Sequence, residues 1–139
     1  MGHVYRLRLQ SVYVSSKGEE IFLSHVIRCG LETPEMEHKF LDKRRFRFDF
    51  AWVEKKIAVE VEGGVWVGGR HTRGGGYSRD LEKYNLATLH GWRVFRFTTQ
   101  DVTTKKAIAF ITAVMNNNRR EKQQSYEDIS RGFMFTDTV

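Results

Sequence analysis

The stretch from Arg45 to Trp66 constrains this chain more than any other part of it. Strict alternation of side-chain character leaves an extended strand as the one regular structure that buries a single face. Phe46, Phe48, Phe50 and Trp52 alternate with Arg45, Arg47, Asp49 and Ala51, and Ile57, Val59 and Val61 alternate with Ala58, Glu60 and Glu62. A four-residue connection over 53–56 makes an antiparallel hairpin whose apolar faces agree. It pairs Trp52 with Ile57, Phe50 with Val59 and Phe48 with Val61. The same register sets Asp49 opposite Glu60.

Facing carboxylates on neighbouring strands have Cβ atoms roughly 4.5 to 5.5 Å apart, and like charges so placed oppose folding unless positive charge lies between them. A divalent cation is the simplest source of that charge. Hard oxygen ligands at this spacing suit Mg²⁺ or Mn²⁺, and Glu62, on the same face as Glu60, is placed to join them. The bland alternative is a solvated, ion-paired strand face, with Glu62 across from Arg47 and Glu60 beside Arg45 or a lysine.

The 139 residues make one domain with a sizeable core, and 40% hydrophobic with 13% aromatic residues argue against general disorder. No apolar run is long enough to cross a bilayer, and the amino terminus lacks the apolar segment of a signal peptide, so a cytoplasmic protein without a membrane partner is expected. The single cysteine, Cys29, speaks against an internal disulfide and a structural zinc site, and is expected to be an ordinary semi-buried residue. With 23 Lys and Arg against 17 Asp and Glu, the formal charge is +6. A basic chain that concentrates carboxylates on one strand pair suggests a metal site facing a phosphate backbone.

Residues 4–14 alternate as a strand or short hairpin. A helix follows over about 18–28, stopped by Gly30 and Pro34, with Phe22, Leu23, Val26 and Ile27 at helical spacing and Glu19 on the same inward stripe. Residues 36–41 form a short extra strand leading through the basic turn 42–45. Beyond Glu62, seven glycines in fifteen residues surround Arg70, His71 and Arg73, a loop whose amides and basic side chains can settle on phosphates. It lacks the Lys-Ser or Lys-Thr ending of a nucleotide-binding P-loop. A helix over 77–90 places Tyr77, Leu81 and Tyr84 inward, with Asp80 and Lys83 close enough to pair, and is closed by Gly91. A strand over 92–97 and a helix from Asp101 to about Met115 complete the core, with Ile108, Ile111 and Met115 spaced to pack. Residues 116–139 form a polar extension: a frayed helix, an arm or a disordered tail.

The stretches RFDFAW, IAVEVEGGVW, GRHTRGGGY, DLEKYN and GWRVFRF, in this order after GEEIFLSHVIRCG, resemble the PD-(D/E)XK nuclease superfamily. Within it, the likeness is to small phage and bacterial endonucleases of the Holliday-junction-resolvase-like and very-short-patch-repair-like groups. The resemblance covers about 18–102. It implies an α/β fold, a mixed central sheet flanked by helices in the order αβββαβ, and Mg²⁺-dependent hydrolysis of DNA phosphodiesters. Carried onto this chain, it makes Asp49 and Glu60 the metal pair and Glu19 the helix glutamate of the resolvases. One departure is clear: the family's lysine belongs where Glu62 stands. Either Glu62 itself binds metal or orients water, or Lys83 replaces that lysine from the neighbouring helix. The implied catalytic set is Glu19, Asp49, Glu60, Glu62 and Lys83, with Arg70, His71 and Arg73 on DNA. Branched DNA and a homodimer are the expected partners. The alternatives are a very-short-patch-like nicking enzyme and a DNA-binding module of the same fold whose catalysis has lapsed.

Overall fold

A computed structural model of the chain describes residues 16–63 and 75–135. The strand expected over 4–14, the loop residues Arg70, His71 and Arg73, and residues 136–139 lie outside the described residues.

Helix α1 (Lys17–Arg28) is followed by β1 (Glu35–Lys39), β2 (Arg47–Trp52), a 3-10 turn (Val53–Lys55) and β3 (Ile57–Glu62). Helix α2 (Gly75–Leu89), β4 (Arg93–Thr98), the short α3 (Thr99–Thr103) and the long α4 (Lys106–Phe135) complete the chain. The four strands form one mixed sheet in the order β1-β2-β3-β4. Its first three strands are antiparallel neighbours, while β3 and β4 run parallel. The αβββαβ order and the helix-flanked mixed sheet are those expected. The parallel β3–β4 pair requires a crossover, and α2 supplies it.

Each face of the sheet has its own core. Phe22 and Val26 of α1, Val102 of α3 and Ile108, Ile111 and Met115 of α4 pack on Phe50, Trp52, Ile57 and Val59. On the other face Phe48, Ala51, Ala58 and Trp92 gather around Ala87 of α2. The hairpin register holds where it is regular, with Trp52 across from Ile57 and Phe50 across from Val59, and Lys56 closes the connection in the left-handed region at φ 54°.

Several local expectations are corrected. Phe48 does not share a face with Phe50, and the pairs Phe48–Val61 and Asp49–Glu60 are absent from the described ladder, which stops at Phe50–Val59. Tyr77 and Leu81 are half exposed, because α2 turns Lys83, Tyr84, Leu86 and Ala87 towards the sheet and its inward stripe is polar where it crosses Glu60. Ile27 and Cys29 are exposed at the end of α1. The cap after β4 is Thr98, which accepts from the Asp101 N–H while Asp101 accepts from the Thr98 N–H, a reciprocal capping box. The helix expected there breaks at Lys105, at φ 64°, and restarts as α4, which runs on through Phe135.

Candidate active site

The site begins with the first turn of α1. Ser16 caps the helix by accepting from the Glu19 N–H at 3.3 Å, and the stripe Glu19, Phe22, Val26 is buried against the sheet. Gly18 makes the approach possible: a Cβ there would stand 3.0 Å from Val61 Cγ1. Glu19, only 4% exposed, is thereby carried to the end of β2 and β3.

What it meets there comes from a paired irregularity in β1 and β2. Met36 packs on the same core as its partner Phe50, whereas His38 stacks against Trp92 on the opposite face, together with its partner Phe48. Both strands therefore change faces in step between these two pairs, at Glu37 and Asp49. Glu37 makes the change with φ 49°, a left-handed conformation that few non-glycine residues adopt. Asp49 makes it by turning its carboxylate to the backbone of β3, where Oδ2 accepts the Val61 N–H at 2.8 Å. That side-chain bond ends the regular ladder and holds Asp49 towards Glu19.

Carboxylate oxygens of Glu19, Glu37 and Asp49 lie within 4.8 Å of one another. Burial, chiefly, raises the pKa of Asp49 to about 7, opposed by the Val61 N–H and reinforced by the charge of Glu19, a hydrogen bond shared with it and the charge of Glu60. The donor set is all carboxylate oxygen, with neither histidine nor cysteine, which fits a hard divalent cation. Glu37 was not among the residues singled out from the sequence. The strand over 36–41 was legible, but a left-handed residue inside it has no sequence signature.

Glu60 takes the other face. It is 6% exposed, and both of its oxygens are engaged from α2: Oε1 accepts from Lys83 Nζ and Oε2 from the Tyr84 hydroxyl. Burial and Glu60 push the Tyr84 pKa upward, so the phenol stays a donor. Lys83 therefore pairs with Glu60 and not with Asp80, and its ammonium also lies over the Phe48 ring. Glu62 pairs with Arg96 of β4 at 2.7 Å instead of Arg47, because β4 is its neighbour in the sheet, and Arg96 in turn covers the Tyr84 ring. Of the sequence-derived set, Glu19 and Asp49 thus stand together with Glu37, Glu60 and Lys83 form a clamp beside them, and Glu62 joins the clamp's outer edge. Cys29 and His25 make no dyad: the imidazole is buried, and burial, with Lys105 and Arg28, holds its pKa low, while the thiol is exposed.

No family model and no curated protein matches the sequence. Among solved structures the chain is similar to the catalytic domain of the homing endonuclease I-Bth0305I, with a TM-score of 0.57 at 16% identity over 75% of this chain and 98% of that domain. At this identity the likeness is one of fold.

Proposed function

We propose that the chain is a metal-dependent DNA endonuclease whose centre is the carboxylate cluster of Glu19, Glu37 and Asp49. The observation that carries the reading is that two strands leave their regular course together to bring Glu37 and Asp49 to a buried glutamate, an arrangement that costs folding energy and that a cation would offset. The fold neighbour, a homing endonuclease catalytic domain by its name, supports the same class of chemistry.

A divalent cation, Mg²⁺ or Mn²⁺, held by these three residues would polarise the phosphate and lower the pKa of water beside it. The chain's own groups do the rest. Without metal the Asp49 carboxyl has its pKa raised to about 7, and it would release its proton when a cation enters the cluster. Lys83 is held by Glu60 on the neighbouring face, where its ammonium can stabilise negative charge on a transferring phosphate, the role left open by Glu62 standing in the lysine's place. Glu60 and Tyr84 position that lysine. Glu62 is tied to Arg96 and serves the clamp. A catalytically lapsed module would have no use for three carboxylates gathered within 4.8 Å of one another, so the active reading is preferred.

The preferred substrate in this reading is branched DNA, cut by a dimer, because Glu19 takes its place in the cluster as the helix glutamate of the resolvase group does. Supercoiled plasmid incubated with Mg²⁺, with Mn²⁺ and with EDTA tests the activity: nicking with either metal and none with EDTA is expected, and nicking that survives EDTA would overturn it. Competition between a four-way junction and a linear duplex of the same sequence tests the substrate. Equal competition, with a monomer in sedimentation, would transfer the reading to the nicking enzymes.

A further inference from the structure

A cleft of the molecule lies outside the carboxylate cluster and shares only Lys83 with the residues so far expected to act on DNA. It has a volume of about 660 Å³ and runs between the turn that leads into β2 and the middle of α2. Six of its nine lining residues are basic: Lys43, Arg44, Arg45, Arg47, Arg79 and Lys83. Two of these are neutralised within the chain, Arg44 by Glu82 and Lys83 by Glu60. Among the described residues the side chains of the other four have no ion-pair or hydrogen-bond partner, and Asp80 is the one lining carboxylate not tied to a cation. Phe46, with Arg44 over its ring at 5.3 Å, is the one apolar residue of the lining.

Small-molecule pockets are mostly apolar with a few converging polar groups, so this lining does not suit one. Like charges gathered around an open groove repel one another, and a polyanion relieves that repulsion by exchanging its condensed counterions for the side chains. The groove also has a direction. Lys83 belongs both to its wall and to the clamp on Glu60, and the next residue of β3, Val61, holds Asp49, so the groove ends beside the strand segment that carries the site.

The geometry points to this cleft as the track for the phosphodiester backbone of duplex DNA flanking the cleaved bond, with Lys43, Arg45, Arg47 and Arg79 as its phosphate contacts. This rests on the nuclease reading, and it assigns DNA contacts to the β2 turn and α2 in addition to the glycine-rich loop.

The test reads binding apart from cleavage. Anisotropy of a short fluorescein-labelled duplex is followed in EDTA from about 50 to 200 mM salt, for the full chain and for the triple variant Arg45→Gln, Arg47→Gln, Arg79→Gln. All three side chains are exposed, so the fold is retained. The expected result is a log-log salt slope shallower by roughly 0.9 per contact removed, between two and three in all. Arg119→Gln with Arg120→Gln on α4 is the control and should leave the slope unchanged. A wild-type slope in the triple variant, or an equal loss in the control, overturns the track while leaving the nuclease reading intact. Failure of the wild-type chain both to bind and to cut DNA would instead overturn the nuclease reading itself.

Discussion

Two glutamates, Glu19 and Glu60, are buried to almost the same degree on opposite faces of one sheet, and they have different neighbours. Glu60 receives a proton donor on each oxygen, from Lys83 and Tyr84. Glu19 has the carboxylates of Asp49 and Glu37 beside it. The α2 face matches its acid with a lysine and a phenol; the α1 face brings three carboxylates together. The difference teaches where an external cation belongs. Three carboxylate oxygens within 4.8 Å of one another can share a divalent cation, whereas a single acid matched by a lysine offers no such set.

The largest test of this contrast is catalytic. Asp49→Asn or Glu19→Gln should reduce plasmid cleavage in Mg²⁺ by about two to three orders of magnitude. Without metal, the same variants should melt at a higher temperature than the wild type, because they relieve repulsion. Near wild-type cleavage in both would remove the cluster from the active site.

On the other face the sign of the stability effect reverses. Lys83→Ala leaves Glu60 buried without its cation and should cost about 3 kcal/mol in chemical denaturation. A loss well under about 1 kcal/mol would mean that the clamp is solvated and that the contrast between the two faces is false.

The pH dependence separates the two regions more finely. The folded-state pKa of Asp49, about 7, lies above its ordinary value of 3.8, so the native chain holds more protons than the unfolded one in between. Metal-free stability attributable to Asp49 is therefore fully present below about pH 4 and is lost progressively as pH rises through 7. Melting temperatures of wild type and Asp49→Asn should diverge across that window and run parallel above it. Added Mg²⁺ should erase the divergence, and parallel curves throughout would mean that the carboxyl is not perturbed.

The smallest expected effect belongs to Tyr84. Removing its hydroxyl in Tyr84→Phe deletes one donor to Glu60 and should cost about 1 kcal/mol. It should slow cleavage far less than Lys83→Ala, since the phenylalanine keeps the ring beneath Arg96. Equal slowing would make Tyr84 a participant in the chemistry.

Much of the architecture could be read from the chain alone, because period-two and helical spacing are local properties. The alternation in 57–62, the pairing of Trp52 with Ile57 and the inward stripe of Glu19, Phe22 and Val26 all follow from which residues must leave water. The candidate site was legible only in part. Asp49 and Glu19 stood out, but alternation carried without a break through β2 put Phe48 on the wrong face and Glu60 directly across from Asp49. The break comes from Glu37 and Asp49 changing faces together, and a left-handed backbone at a glutamate is held by its neighbours, not by its own propensity. The same holds for α2: its spacing pointed Tyr77 and Leu81 inward, yet the helix is oriented by Ala87 in the second core and by Lys83 and Tyr84 on Glu60. Local periodicity determined which segments are strands and helices and which faces of them are apolar. Which acids share a site and which acid has its own lysine was decided by tertiary contacts across more than twenty residues of sequence, such as those from α2 to Glu60, because a charge takes its partner from whatever the fold places beside it.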